Sequence, residues 1–387
     1  MKIIRTIRNI AKRTIKKIRP TIDQSLYISK VSNKAPWILV AYIPEVFYHK
    51  HDIAYLNGHQ NKKEALRMVP IFNSLGYNVY VRHFDYSGEL PDIDVRILFG
   101  HAPLVDRASK KWPNAYVVMY ATGCLFTHQN AQEQYMTDLV NKKLGTNFPL
   151  ERLVPPYNTH IIADKILLIG SNYTIETFPE EVRHKITLIH QSSQAKQLIF
   201  PIQYAKENEF FFMASSGNLL RGVPLLIDFF SSRLDKTLHI VGPIEHYLAY
   251  IEEDLPQNIV LHGHIDVNSE TMASIMKRCN FIVYPTGSDG IPGALINSMK
   301  NGLIPIVSKW GAFDEINEYG YLMKGWDVQS IAAGIQWADS LSKEQCLELK
   351  KKCSEFVKSQ YNIENFAKEF EAFFREITEN AFLSNKK

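Results

Sequence analysis

Two glycine-rich turns carry residues that could bind a phosphorylated sugar. The first, residues 285–292 (PTGSDGIP), lies between an apolar run at 281–284 and a segment of helical periodicity at 293–301. A glycine-rich turn that leads into a helix presents unpaired N–H groups and the positive end of the helix dipole, which together bind phosphate. Asp289 in this turn could accept hydrogen bonds from sugar hydroxyl groups. The same pattern is also that of an ordinary strand-to-helix turn.

The second turn lies in residues 213–222 (MASSGNLLRG), before an apolar helical pattern at 223–230. Arg221 is permanently charged, and its planar guanidinium can donate two hydrogen bonds to a phosphate group. The small residues before it would let backbone N–H groups approach the same phosphate; they are Ser215, Ser216 and Gly217. A lone arginine at the start of a helix is also common as a surface charge.

Further polar candidates follow several predicted strands. Gly263 and His264 lie on the turn after 259–262. In the first half of the chain the candidates lie at the carboxyl edge of the predicted sheet, where doubly wound folds bind ligands: His59, Asn61, His101, His128, Asn130 and Glu133. Each histidine is equally compatible with a solvated loop position. No metal-site spacing is present and no G-x-G-x-x-G motif follows a strand, which argues against NAD.

Strand and helix patterns alternate along the chain, which predicts an α/β protein with two Rossmann-like, doubly wound domains. The first half has predicted strands at 37–43, 78–81, 95–99, 116–120, 166–169 and 186–190, and helices at 62–75 and 130–144. The second half has predicted strands at 210–214, 238–241, 259–262, 281–284 and 303–307, and helices at 343–358 and 363–379. Polar residues at 191–197 predict a linker between the domains.

These motifs resemble the C-terminal signature of family 4-type GT-B glycosyltransferases, also called glycosyl transferases group 1. In that family a first Glu contacts the donor sugar and a second Glu holds the ribose hydroxyls; the matching residues here are Asp289 and Asn297. Arg221 and Gly222 match a pair whose cation neutralises the leaving diphosphate. The family often has a further Arg where this chain has Ser216. The chain therefore departs from the family pattern at three positions: Asp289 is shorter than Glu, Asn297 is uncharged, and Ser216 replaces a cation.

The resemblance implies a GT-B architecture, in which two Rossmann-like domains enclose a cleft. The expected units are a basic helix at 1–20, an acceptor domain at 21–200, a donor-binding domain at 201–362, and a helix at 363–387 that crosses back to the first domain. The residues expected to hold the donor are Ser215, Ser216, Gly217, Arg221, Gly263, His264, Ser288, Asp289, Gly290, Pro292, Gly293, Ala294 and Asn297. The expected acceptor-binding residues are His59, Asn61, His101, His128, Asn130 and Glu133. Asp289, Arg221 and His128 are expected to be catalytic.

By the same resemblance, the expected reaction moves a sugar from a nucleotide-sugar donor to a glycan or lipid-linked saccharide in bacterial cell-surface polysaccharide synthesis. It should retain the anomeric configuration and need no metal or other cofactor. Two alternatives remain open. A GT-B sugar-nucleotide epimerase would need more carboxylates in the cleft. A degenerate, non-catalytic protein that binds a glycan or a membrane would be consistent with Asn297 and Ser216.

The charge of the chain is concentrated at its start. The 387 residues carry a net charge of +4, yet residues 1–20 contain eight Lys and Arg and no acidic residue. Isoleucines recur at helical spacing in this segment, which predicts a basic amphipathic helix lying on an anionic membrane. A transit peptide, a solvated leader and a nucleic-acid-binding arm are alternatives, but the arm would have interleaved aromatic residues, so we expect no nucleic-acid partner.

The rest of the composition favours a globular cytoplasmic protein. Hydrophobic residues make up 45% of the chain and charged residues 22%, and no apolar run approaches the roughly 20 residues that span a bilayer. The four cysteines lack the density of a disulfide framework. Together with the basic segment, this predicts a protein bound peripherally to the inner face of the cell membrane.

Deleting residues 1–20 should abolish binding to anionic vesicles and leave a folded protein, because the first predicted core strand begins near Trp37. Co-sedimentation of the full and shortened chains with anionic and with neutral vesicles tests this, and salt should weaken the binding. Equal pelleting of both chains, or no preference for anionic lipid, would remove the membrane role.

Overall fold

The computed structural model describes residues 23–194, 196–205, 208–249 and 254–384, and the side chains of these residues as far as 379. The predicted membrane-binding segment at 1–20 lies outside the described residues. Among the described helices, none is both long enough and apolar enough to cross a bilayer.

The first domain is built on a seven-stranded sheet in the order β1-β3-β2-β4-β5-β6-β7. Its strands are β1 (Leu26–Ser29), β2 (Trp37–Tyr42), β3 (Asn78–His83), β4 (Val95–Gly100), β5 (Tyr116–Ala121), β6 (Lys165–Leu168) and β7 (Ile186–Leu188). All neighbours pair in parallel except β1, which pairs antiparallel with β3 at the edge. The helices are α1 (Ile53–Leu56), α2 (Gln60–Ser74), α3 (Leu104–Lys111), α4 (Phe126–Leu144), α5 (Thr159–Ile162), α6 (Asn172–Ile175) and α7 (Glu180–Arg183), with a 3₁₀ turn at Pro44–Tyr48.

The second domain has a six-stranded, fully parallel sheet in the order β10-β9-β8-β11-β12-β13. Its strands are β8 (Glu209–Met213), β9 (Thr237–Val241), β10 (Ile259–Leu261), β11 (Phe281–Tyr284), β12 (Ile304–Ser308) and β13 (Tyr321–Met323). The helices are α8 (Val223–Ser231), α9 (Glu245–Leu248), α10 (Glu270–Met276), α11 (Gly293–Lys300), α12 (Ile316–Tyr319), α13 (Val328–Asp339), α14 (Lys343–Gln360) and α15 (Ile363–Ser384), with a 3₁₀ turn at Lys309–Gly311. This strand order reverses between β8 and β11, the switch point of a doubly wound sheet.

The two sheets confirm the predicted α/β fold with two doubly wound domains. The central strands are mostly apolar because helices cover both faces of each sheet. In β8 and β11, for example, every residue is buried. The patterns missed the short strands β1 and β13, whose residues are mostly half-buried and which lie at sheet edges.

The last helix, α15, belongs to the hydrophobic core of the first domain. Its Phe370 and Phe374 rings pack edge-on against Phe72 of α2, with ring centroids 5.4 and 4.7 Å apart. Phe374 also contacts Phe99 of β4 at 5.2 Å. The chain therefore passes between the two domains twice. It passes first through the polar segment at 191–197, which precedes β8, and returns to the first domain through α15.

Candidate active site in the interdomain cleft

A cleft of about 1120 Å³ lies between the two domains and is lined by residues of both. It lies where the carboxyl ends of the strands in each sheet meet their following loops. One wall contains the turn after β8 and the turn after β11, at the switch point of the second sheet. Ligands bind at such switch points in doubly wound folds because the loops diverge there and leave a crevice.

Arg221 and Asp289 form an ion pair on this wall. The two side chains are only 12% and 17% exposed. Nη1 of Arg221 also donates to the Ser288 carbonyl at 3.0 Å and to Thr286 Oγ1 at 3.2 Å, so the arginine holds the whole turn after β11. Burial lowers the pKa of Arg221. Within the described residues its Nε and Nη2 groups make no hydrogen bond, and they are available to a ligand in the cleft.

The turn after β11 is pressed against the backbone of the first domain. The backbone carbonyl of Asp289 accepts hydrogen bonds from two atoms of Cys124, the backbone N at 3.1 Å and Sγ at 2.8 Å. A Cβ at Gly290 would lie 2.4 Å from the carbonyl oxygen of Ile169, so only glycine allows this approach. His128 Nε2 donates to the Gly287 carbonyl at 3.1 Å. The first domain thereby fixes the backbone of the turn that carries Asp289, and Arg221 of the second domain holds the carboxylate.

The first turn of α11 borders the same wall, since Pro292, Gly293 and Ala294 line the cleft. No side chain caps this helix. Its N-terminal N–H groups therefore need other partners, and they carry the positive end of the helix dipole. An anion beside Arg221 would meet both sources of positive potential.

Asn297, one turn further along α11, also lines the cleft, but its side chain holds the linker. Its Oδ1 accepts from Gln194 N at 3.1 Å and from Ser193 Oγ at 3.4 Å. The neighbouring Gln191 accepts from Gln60 Nε2 of α2 at 2.9 Å and donates to the Ile291 carbonyl. The linker is thus bonded to both domains beside the cleft wall that contains Arg221 and Asp289.

The structure brings most of the predicted donor-binding residues together. Those on the cleft wall are Ser215, Arg221, His264, Ser288, Asp289, Pro292, Gly293, Ala294 and Asn297. Those in the same turns but off the wall are Ser216, Gly217, Gly263 and Gly290. Their roles toward a donor stay predictions.

The predicted acceptor residues divide into two groups. His59, Asn61 and His101 line the cleft opposite Arg221. His101 packs between the rings of Tyr42 and Tyr120, with centroids 5.1 and 5.6 Å away. Burial lowers the pKa of His101 to about 4, so its imidazole is neutral near pH 7 and can exchange hydrogen bonds with a hydroxyl group.

The prediction that Asn130 and Glu133 face the cleft is wrong. Helix α4 begins at Phe126 rather than at residue 130, and both side chains lie against the segment 151–154, which packs on this helix. Asn130 exchanges two hydrogen bonds with the backbone of Val154, at 2.9 and 2.8 Å. Glu133 is fully buried beneath the same segment. Both side chains hold the segment 151–154 against α4.

His128 also lies off the cleft wall. Besides its hydrogen bond to Gly287, its ring packs against Trp310 at 5.1 Å. Burial lowers the pKa of His128, which keeps the imidazole neutral. His128 therefore supports the turn after β11 from outside the cleft. This position does not support the predicted catalytic role of His128.

Glu64 is a cleft residue that the sequence patterns did not single out. It lies on α2, is fully buried, and borders the cleft near Tyr42. Its Oε1 accepts from Ser192 N at 2.6 Å and from Ser192 Oγ at 2.9 Å, whereas Oε2 has no hydrogen-bond partner among the described residues. Burial raises the pKa of Glu64 to about 7. The sequence does contain a signal for this residue: Glu64 lies four residues before Met68, which places a carboxylate on the apolar face of α2.

Among the described residues, no three His, Cys, Asp or Glu side chains are grouped so that they could hold a metal ion. Metal independence stays a prediction.

Residues 209–338 match the sequence model of the family described as Glycosyl transferases group 1. The match includes both turns that form the Arg221–Asp289 pair. A comparison with curated protein sequences finds no match. The second half of the chain therefore contains a glycosyl transferases group 1 domain.

Solved glycosyltransferase structures share the fold of the chain. Sucrose-phosphate synthase from Thermosynechococcus elongatus aligns with a TM-score of 0.60 and 14% identity, over 90% of this chain and 100% of that one. A glycosyltransferase from Rickettsia africae ESF-5 has a TM-score of 0.56 and 13% identity, over 90% and 100%. Anabaena HepE, in complex with UDP-glucose, has a TM-score of 0.53 and 9% identity, over 88% and 100%. With the family match, these similarities support a glycosyltransferase of the GT-B fold.

The raised pKa of Glu64 predicts a pH dependence of stability. The pKa of Glu64 is about 7 in the folded protein and 4.5 in the unfolded chain, so the folded state binds this proton more tightly. The folded state therefore loses stability as pH rises from 4.5 to above 7. Each pKa unit corresponds to about 1.4 kcal/mol, so the wild type should lose about 2 to 3 kcal/mol more than Glu64→Gln between pH 5 and pH 8.

Denaturant unfolding of both proteins at the two pH values measures this difference. Glu355→Gln, at an exposed position of α14, is the matched control and should follow the wild type. Parallel pH profiles of the wild type and Glu64→Gln would contradict the assignment of a neutral buried carboxyl group.

Proposed function

We propose that the chain transfers a sugar from a nucleoside diphosphate sugar to the hydroxyl group of a saccharide acceptor bound in the interdomain cleft. The observation that carries this proposal is the guanidinium of Arg221. Its Nη1 is held by Asp289, and its Nε and Nη2 make no hydrogen bond to the described residues, beside the uncapped first turn of α11. A departing diphosphate would meet a fixed cation and a helix N-terminus at one point of the cleft.

Such a site meets the main electrostatic demand of glycosyl transfer. As the bond between sugar and diphosphate breaks, negative charge grows on the phosphate oxygens and positive charge on the sugar. Donors that are already oriented stabilise that separation better than water, which has to reorganise. Arg221 would bind phosphate through Nε and Nη2, and Asp289 would accept hydrogen bonds from the sugar.

The opposite wall suits the acceptor. It contains the neutral imidazole of His101, the buried carboxyl group of Glu64, and the polar residues His59 and Asn61. These groups can exchange hydrogen bonds with sugar hydroxyls, and the cleft is large enough for a nucleotide and a saccharide unit together.

The finer features of the proposal come from the family resemblance. They are retention of configuration, independence of a metal, and a glycan or lipid-linked saccharide of bacterial surface polysaccharide as the acceptor. The basic segment at 1–20 would hold the enzyme peripherally on the inner face of the cell membrane. The UDP-glucose in the HepE structure makes uridine diphosphate a suitable first probe.

A non-catalytic binding protein of the same fold is the second candidate. It is favoured by the commitment of Asn297 to the linker and by the pairing of Asp289 with Arg221, since both carboxylate positions of the family pattern are then occupied. Product analysis separates the candidates: transfer or hydrolysis of the donor sugar marks the enzyme, an altered sugar nucleotide marks an epimerase, and binding without turnover marks the binding protein.

Arg221→Ala should weaken uridine diphosphate binding by about 10- to 100-fold, because a charge-assisted hydrogen bond contributes roughly 1.5 to 3 kcal/mol. Isothermal titration calorimetry measures the change, with thermal unfolding as a check of the fold. Arg221→Lys should retain part of the affinity. Arg233→Ala removes a more exposed arginine of the same domain and is the matched control. Unchanged affinity in a folded Arg221→Ala protein would exclude the diphosphate role.

Asp289→Asn should separate sugar chemistry from diphosphate binding. The substitution removes the partner of Arg221, so free uridine diphosphate should bind as tightly as to the wild type or more tightly. Transfer or hydrolysis of the donor sugar should fall about tenfold or more, the scale of one lost charged hydrogen bond. A parallel loss of diphosphate affinity and turnover would mean that the carboxylate acts on the nucleotide or holds the turn together.

A further inference from the structure

The first domain brings a second arginine, Arg152, to the wall of the cleft. Its side chain lies over the turn after β8. A Cβ on Gly217, whose φ is +72°, would lie 2.2 Å from Arg152 Cδ and 3.2 Å from its Nη1. Glycine is therefore needed at this position both for the backbone conformation and for the approach of the arginine.

The backbone that carries Arg152 is held by side chains of α4. Gln129 Nε2 donates to the Arg152 carbonyl at 2.8 Å. Glu133 Oε1 accepts from Glu151 N at 2.8 Å and from Arg152 N at 3.2 Å. Asn130 bonds both polar groups of the Val154 backbone. Burying the carboxylate of Glu133 costs free energy unless hydrogen bonds compensate, and here the compensating bonds come from the backbone of Glu151 and Arg152. The position of Arg152 is therefore fixed by buried contacts.

The guanidinium of Arg152 has no acidic partner in the part of the chain that the structure describes. Among the described residues, no carboxylate lies within ion-pair distance of its guanidinium, whereas Arg221 is paired with Asp289. Glu151, the adjacent acid, is paired instead with His246 Nδ1 at 2.5 Å. The positive charge of Arg152 is close enough to contribute to the lowered pKa of Arg221. Of these two guanidinium groups, only that of Arg221 forms an ion pair with a carboxylate of the described residues.

We propose that Arg152 is a second ligand of the donor diphosphate, supplied by the first domain across the cleft from the second. The inference rests on the proposed function. A diphosphate needs more than one positive charge, and the turn that Arg152 covers, residues 215–217, contains no cation of its own. An anion between Arg152 and Arg221 would contact both domains at once, so donor binding would stabilise the closed arrangement of the cleft.

The test is calorimetric titration of the full chain with uridine, guanosine, adenosine and cytidine diphosphates. Arg152→Ala should bind the preferred diphosphate about tenfold more weakly than the wild type, and Arg152→Lys should recover part of this loss. The salt dependence of the binding constant should also become shallower in Arg152→Ala, because one cation fewer neutralises the phosphates. Arg96→Ala, at an exposed arginine of the same domain, is the control and should change neither quantity.

The outcomes distinguish the inference from its premise. If Arg152→Ala stays within twofold of the wild type while Arg221→Ala loses affinity, Arg152 is not a diphosphate ligand and the proposed function stands. If the wild type binds none of the diphosphates, both fail. If Arg152→Lys binds as weakly as Arg152→Ala with an unchanged salt dependence, the residue acts through packing on Gly217 and the proposed charge contact is wrong.

Discussion

The active-site wall depends on the buried ion pair between Arg221 and Asp289. The two residues follow β8 and β11, neighbouring strands at the point where the order of the sheet reverses. Removing two charges from water costs several kcal/mol, and the pair offsets this cost only with further hydrogen bonds. Arg221 provides these bonds through Ser288 and Thr286. The pair therefore ties two turns together and keeps a cation at the base of the cleft.

The site is complete only where the two domains meet. The turn of Asp289 rests on the first domain through Cys124 and through the close backbone approach at Gly290. Ion pairs extend the contact on either side, with Lys143 to Asp228 at 2.7 Å and Lys309 to Glu176 at 2.6 Å. A ligand that bridges the domains would act on an interface that already exists.

Local patterns could predict the fold and the two turns, because buried parallel strands are mostly apolar and because glycine, serine and proline mark the turns between strands and helices. They could not predict that Arg221 and Asp289 pair, since 68 residues separate them. They also could not predict that the side chain of Glu133 is used up by the backbone of Glu151 and Arg152, because those contacts join residues that are 18 and 19 positions apart. Glu64 and Arg152 acquire their roles only through tertiary contacts with the linker and with Gly217.

The diphosphate site can be located in a crystal structure of the chain with bound uridine diphosphate. We expect the phosphates to lie in the cleft within hydrogen-bonding distance of Arg221 Nε or Nη2 and of the first N–H groups of α11. A diphosphate that binds outside the cleft, or inside it with no contact to Arg221, would show that Arg221 does not have the proposed role.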